Sequence, residues 1–140
     1  MGYLIGIDFG TKRTGLACTD TNKIIASGLK NLPTHQVISY LKTLCKTDSI
    51  DSFVIGRPLQ KDGSIADVEI HIRAFIKMLK KNFPQHQIER YDERFTSKIA
   101  FQAMIDGGLK KKKRLDKGLL DQVSATLILQ SYLDYKKDIL

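Results

Sequence analysis

Short apolar runs dominate the first quarter of the chain and predict strands. Leu4, Ile5 and Ile7 lie close together without polar alternation, a pattern typical of a strand that is covered on both faces in the middle of a sheet. Further strands are predicted over 13–20 and 24–32, with the polar turn 19–23 between them. The first three strands therefore predict a meander of antiparallel hairpins.

The rest of the chain alternates between helical and strand patterns. A helix is predicted from Val37, a buried strand over Phe53–Gly56, a helix over Val68–Phe83, a strand over Gln87–Tyr91, a helix from Thr96 or Ser97 to about Ile105, and a final helix over Leu119–Leu133. Apolar residues cover nearly all of the last helix, so we expect it to be largely buried. This order predicts an α/β fold: a mixed sheet with three antiparallel strands, then parallel β-α units, flanked by helices.

Length and composition predict one globular domain over residues 1–140. The chain is 42% hydrophobic and 27% charged, which are ordinary values for a globular protein. No apolar run approaches the length of a membrane span, and no basic stretch precedes an apolar signal core. We therefore expect a cytoplasmic protein with no membrane partner. Cys18 and Cys45 are interpreted as buried thiols, because they lack the spacing of a zinc site.

The positive charge is concentrated in one segment. The net charge is +8, and a single run supplies five of the positive charges: Lys110, Lys111, Lys112, Lys113 and Arg114. By itself such a run is equally well explained as a solvated connector. In a single-domain protein it also fits contact with a nucleic-acid backbone, whose affinity falls steeply with salt.

Asp8 closes the first predicted strand and precedes a glycine-containing turn that carries Lys12 and Arg13. A carboxylate at the end of a covered strand is poorly solvated and needs a cation, a metal or backbone donors as its partner. These surroundings suit a phosphate-bearing substrate and a metal. The alternative is that Asp8 simply hydrogen-bonds the turn, as Asp often does.

Further carboxylates lie where burial is expensive. Asp92 and Glu93 follow a predicted strand, and Asp121 lies in the first turn of the final helix. Because carboxyl ends of parallel strands meet at one sheet edge, these acids and Asp8 are expected to converge there. Oxygen ligands without histidines or thiolates favour Mg²⁺ or Mn²⁺, and two such ions can hydrolyse a phosphodiester. Asp121 could instead complement the helix dipole, and one of Asp92 and Glu93 must face away.

Four ordered segments carry a resemblance to a known family. They are Gly6–Ala17, Val54–Pro58, Asp92–Ser97 and Asp121–Gln130, and together they resemble the YqgF family over essentially the whole chain. Members of that family are similar to Holliday-junction resolvases and are regarded as nucleases of pre-16S ribosomal RNA. The resemblance implies a ribonuclease H-like fold.

The resemblance also implies a function and a site. The function is that of a metal-dependent endonuclease of structured RNA, acting in 5′-end maturation of pre-16S rRNA during ribosome biogenesis, with pre-rRNA or branched DNA as substrate and ribosomal particles as a further partner. The acidic triad that holds Mg²⁺ or Mn²⁺ would be Asp8, Glu93 and Asp121. Glu93 is preferred over Asp92 because its longer side chain reaches further past the strand end.

Basic residues near these motifs are candidates for nucleic-acid binding. Lys12, Arg13 and Arg94 would contact substrate phosphates, and the basic run at 110–114 would contact the RNA backbone. Arg57 stands where the family often has Leu in a Gly-Leu-Pro motif, and this departure adds either a phosphate contact or nothing.

Three other hypotheses remain open at this stage. A Holliday-junction-type DNA resolvase would share the same site. A non-catalytic RNA-binding or ribosome-assembly factor would keep the fold and the basic run without cleavage. An ATP-binding domain of the actin and sugar-kinase type has a similar first phosphate loop, but it clamps its nucleotide between two domains, and this chain offers no second glycine-rich loop.

Overall fold

The computed structural model describes residues 2–60, 62–93 and 117–139, and in the last range the side chains of 123–137. Its strands are β1 (Tyr3–Asp8), β2 (Arg13–Thr19), β3 (Ala26–Pro33), β4 (Ile50–Arg57) and β5 (Gln87–Asp92). Its α-helices are α1 (Val37–Thr47), which follows a 3₁₀ turn at Thr34–Gln36, α2 (Glu69–Asn82) and α3 (Lys117–Ile139).

The five strands form one mixed sheet in the order β3-β2-β1-β4-β5. The hairpin strands pair antiparallel, with Asp8 opposite Gly15 in β1 and β2. Strands β1, β4 and β5 are parallel neighbours, so their carboxyl ends lie at the same edge of the sheet. The α/β class, the mixed sheet and the central position of β1 are confirmed.

Helices cover both faces of the sheet. On one face, Ile5, Ile7 and Phe53 form a core with α1 and α2. On the other face, Leu4 and Val54 pack with α3. A side chain's position along its strand therefore decides which helix layer it meets, because successive residues point to opposite faces. No helix among the described residues is both long and apolar enough to cross a membrane.

Within the described residues, the predicted elements match those observed except at some boundaries. The sequence pattern predicts that the third strand begins at Ile24, but β3 begins at Ala26. The Asp20 carboxylate accepts hydrogen bonds from the backbone N–H groups of Ile24 (2.8 Å) and Ile25 (2.9 Å). That bonding folds both residues into the turn, where their side chains are 63% and 62% exposed. The helix predicted from Thr96 or Ser97 lies outside the described residues.

Candidate functional site

Asp8 lies at the carboxyl end of β1 on the face covered by α3. Leu4 belongs to the core beneath α3, and Gly6 and Asp8 follow it at alternate positions, so they share that face. A methyl group at Gly6 would lie 2.8 Å from Cβ of Leu129 and 3.2 Å from the carbonyl oxygen of Ala125. The absence of a side chain at Gly6 is therefore what lets α3 approach the centre of the sheet so closely.

Glu93 follows β5 and lies over β4 on the same face. A methyl group built on Gly56 would lie 3.0 Å from the carboxyl carbon of Glu93 and 2.8 Å from Cδ1 of Ile128. Gly56 thus leaves the space in which the Glu93 side chain sits. Burial is the largest influence on this carboxyl group and raises its pKa, although Arg90 acts in the opposite direction.

Only β4 separates the end of β1, which carries Asp8, from the end of β5, which Glu93 follows. Two interstrand spacings place β1 and β5 about 10 Å apart, and the intervening residue on this face, Gly56, has no side chain to fill the gap. Two carboxylates that reach in from either side can therefore approach a common centre. The neighbouring Asp92 alternates with Glu93 along the chain, and the ladder pairs it with Arg57.

The direction of α3 indicates the edge of the sheet at which the helix backbone begins. The later part of the helix lies at the amino ends of the strands, where Leu133 lines a cavity together with Leu4 and Ser52. The start of α3 therefore points to the carboxyl edge, and position 121 lies one helical turn before Ala125. The Asp121 side chain lies outside the described residues. Among the side chains that the structure describes, no three of His, Cys, Asp or Glu form a metal-binding group.

Two threonines fix the turn after Asp8: Thr14, which is buried, and Thr34, which is half-buried. Thr34 donates from its hydroxyl to the carbonyl oxygen of Gly10 at 2.5 Å, and Thr14 lies 2.8 Å from the same hydroxyl. Gly10 leaves no room for a side chain, since a methyl group there would lie 2.3 Å from the carbonyl oxygen of Arg13. This turn presents Lys12 and Arg13 as exposed residues next to the Asp8 edge.

The predicted residues are thus partly assembled within the described part of the chain. Asp8, Glu93, Lys12, Arg13 and the half-buried Arg57 all lie at the carboxyl edge. The other predicted contacts, Arg94 and the run from Lys110 to Arg114, lie outside the described residues. Cys18 and Cys45 are free and half-buried, and burial raises the pKa of both thiols.

Sequence reasoning did not identify the two glycines that make room for the site, nor a buried ion pair behind it. Gly6 and Gly56 lie within predicted strands among large apolar residues, where a glycine often marks close approach. The ion pair joins Glu69 to Arg90. The sequence feature that points to this ion pair is Arg90, a charged residue within the predicted strand 87–91.

Two solved structures share the architecture of this chain. A Thermus thermophilus RuvC in complex with a Holliday junction substrate matches with a TM-score of 0.63 at 13% identity, covering 99% of this chain and 96% of that one. Fowlpox virus resolvase in complex with Holliday junction DNA matches with a TM-score of 0.54 at 12% identity, and the match covers 96% of this chain and 98% of the resolvase chain. The chain therefore has the ribonuclease H-like fold of this class.

Sequence comparison identifies the family of the chain. The family model RuvX, described as a Holliday junction resolvase, matches residues 2–135. A protein of Christiangramia forsetii named "Putative pre-16S rRNA nuclease" is 49% identical over 133 residues, covering 95% of this chain and 98% of that protein. A protein of the same name from Parabacteroides distasonis is 45% identical over 137 residues, covering 98% of each. The chain belongs to the RuvX family, also called YqgF, and its class is that of a nuclease.

Proposed function

We propose that this chain is a metal-dependent endonuclease that processes the precursor of 16S ribosomal RNA. The observation that carries the proposal is the placement of Glu93 over Gly56, on the sheet face and at the edge where Asp8 lies. The family and its relatives supply the substrate class. A single domain over residues 1–140 would carry the activity in the cytoplasm, with ribosomal particles as partners.

The residues at this edge fit a divalent metal. Asp8 and Glu93 offer only oxygen ligands, and none of the chain's three histidines follows the carboxyl end of β1, β4 or β5 directly in the sequence. Such a donor set suits Mg²⁺ or Mn²⁺ rather than zinc or copper. We propose that Asp8, Glu93 and Asp121 hold the metal, with Asp92 as the alternate to Glu93. A bound ion there would supply charge stabilisation to a phosphodiester undergoing hydrolysis.

We further propose that basic residues around this edge hold the substrate. Lys12 and Arg13 are exposed residues on a turn whose backbone is held by hydrogen bonds of Thr14 and Thr34. Arg57 ends β4, at the same edge of the sheet. Arg94 and the run Lys110, Lys111, Lys112, Lys113 and Arg114 would extend the contact along the RNA backbone. Such contacts position nucleic acid without reading its sequence.

The test is cleavage of a pre-16S rRNA fragment in Mg²⁺, Mn²⁺ or EDTA by the parent chain and by Asp8→Asn, Glu93→Gln and Asp121→Asn variants. Each variant is expected to lose at least about a hundredfold in rate, because metal-centred charge stabilisation supplies several kcal/mol. RNA binding should persist. Glu89→Gln serves as the matched control, since Glu89 lines the cavity at the opposite edge of the sheet.

Two further arms separate the alternatives. Asp92→Asn should retain most of the activity if Glu93 is the ligand, and the reverse result would exchange their roles. A four-way DNA junction run beside the RNA distinguishes a resolvase from an RNA nuclease. Binding without cleavage of either substrate, in the metals above, would contradict the nuclease and support a ribosome-assembly factor.

A further inference from the structure

A buried ion pair lies on the opposite face of the sheet, directly behind the candidate site. Glu69, the first residue of α2, is only 1% exposed. Its two carboxylate oxygens accept hydrogen bonds from Nη1 and Nη2 of Arg90, at 2.9 and 2.7 Å. Arg73, one helical turn further on, adds a bond of 3.1 Å from its Nε. Such a two-pronged pair fixes both position and orientation.

The same arginine also holds the backbone on which the site is built. Nη2 of Arg90 donates to the carbonyl oxygen of Gly56 at 3.1 Å. Gly56 is the residue over which the Glu93 carboxyl group lies on the other face. The backbone at Gly56 is therefore held from one side of the sheet by Arg90 and supports Glu93 on the other.

We propose that Arg90, oriented by Glu69, is a positioning residue of the nuclease site: it fixes the carboxyl ends of β4 and β5 and thereby the place of the Glu93 carboxylate. The inference rests on the proposed function, since it assigns Glu93 to the metal. Arg90 lies three residues before Glu93 on the same strand-to-turn segment. A shift of its strand end is therefore passed directly to that side chain.

Stability alone is a poor explanation for this arrangement. A buried ion pair gains little over a well-packed apolar pair of similar volume, because desolvation offsets the attraction. What an apolar pair lacks is a donor that can reach the Gly56 carbonyl group. Small displacements at such sites have large effects, about a hundredfold in rate for 1 Å.

The experiment compares Arg90→Lys with Arg73→Gln. Lysine keeps the charge but cannot reach both Glu69 and Gly56 with a planar fork. Arg73→Gln removes the other arginine from Glu69 and leaves Gly56 untouched. For each variant we would measure kcat and KM on the RNA substrate, the Mn²⁺ concentration for half-maximal rate, and the midpoint of urea unfolding.

We expect Arg90→Lys to lower kcat by about tenfold or more and to raise the Mn²⁺ requirement severalfold, with KM within about twofold. Arg73→Gln should leave all three kinetic quantities within about twofold. A charge-swapped variant, Glu69→Arg with Arg90→Glu, separates stability from positioning. We expect this double variant to have a higher unfolding midpoint than Arg90→Glu alone. Its kcat should nevertheless stay low, because glutamate cannot donate a hydrogen bond to the Gly56 carbonyl oxygen.

The inference is overturned if Arg90→Lys keeps the parent kcat and Mn²⁺ requirement while the parent activity depends on Asp8 and Glu93; the proposed function would then stand. If the parent chain cleaves nothing, the proposed function fails. In that case the comparison uses Mn²⁺ alone, which should raise the unfolding midpoint of the parent more than that of Arg90→Lys. Equal shifts, or none in either protein, overturn the inference.

Discussion

Gly6 and Gly56 allow α3 and the Glu93 side chain to approach the sheet closely. Substituting each glycine by alanine should affect stability and cleavage to different degrees. At Gly56 the added carbon would meet Cδ1 of Ile128 at 2.8 Å and the Glu93 carboxyl carbon at 3.0 Å. The ends of both side chains can move, so Gly56→Ala should destabilise by only about 1–2 kcal/mol. The displaced carboxylate should reduce cleavage at least about tenfold.

Gly6→Ala is the control for that prediction. Its added carbon would meet Cβ of Leu129 at 2.8 Å and the backbone carbonyl oxygen of Ala125 at 3.2 Å. These atoms cannot swing aside, so the helix must shift, and we expect a larger loss of stability, about 3 kcal/mol. Urea unfolding and cleavage rates together check the pair. If Gly56→Ala lost stability but kept its activity, the placement of Glu93 would have no bearing on the reaction.

The residues of the site were predictable to different degrees. Asp8 could be predicted because a carboxylate at the end of an apolar run is costly wherever the strand lies. The choice of Glu93 over Asp92 needed the family resemblance and an argument about reach. The structure shows in addition that the Glu93 side chain occupies the space over Gly56. That placement depends on the register between β4 and β5, which cannot be read from the sequence.

At the scale of elements, the Glu69–Arg90 pair joins α2 to β5 and makes stability depend on pH. Hydrogen bonds from Arg90 hold the pKa of Glu69 below its usual value. In the unfolded chain a glutamate has a pKa of about 4.3. The pair's contribution is therefore complete above that pH and is lost as the pH falls through the lower, folded-state pKa.

Glu69→Gln tests this directly. Near neutral pH it should destabilise by about 3 kcal/mol, because it leaves Arg90 without its buried counter-charge. Below the folded-state pKa the parent and variant should converge. Urea denaturation at a series of decreasing pH values from pH 7 would show the stability difference between parent and variant becoming smaller. Arg73→Gln, whose arginine is 59% exposed, should cost less than about 1 kcal/mol. Parallel curves for parent and Glu69→Gln would contradict the assignment.

The elements themselves follow from local patterns, and their errors have local causes. Strands β1 and β4 are covered on both faces, so unbroken apolar runs identify them. The start of β3 was predicted two residues early because Ile24 and Ile25 are good strand formers. Asp20 overrides that preference by bonding their backbone N–H groups, and such competition between a side chain and the ladder is hard to anticipate from composition.

For the whole molecule, the order of elements was enough to predict the architecture. Three hairpin strands followed by helix–strand alternation leave few arrangements, since parallel crossovers are right-handed and neighbours in sequence usually pair. What order could not supply is which helix lies on which face. In the structure, Ile5 packs in the core with α1 and α2, and its neighbour Leu4 packs in the core with α3. The same alternation places Asp8 on the sheet face that α3 covers.

The charge of the whole chain leads to a last prediction, about salt. The run 110–114 supplies five positive charges in a chain whose net charge is +8. We therefore expect that run to dominate the electrostatic part of RNA binding. Each phosphate contact contributes about −0.7 to −0.9 to the slope of log K against log salt. The double variant Lys110→Gln with Lys111→Gln should therefore make the slope shallower by about 1.5. Lys80→Gln with Lys81→Gln removes the same charge from the end of α2, where both lysines are exposed, and should leave the slope unchanged. Equal effects of the two pairs, measured by titration of RNA at several salt concentrations, would mean that net charge rather than a basic contact surface governs binding.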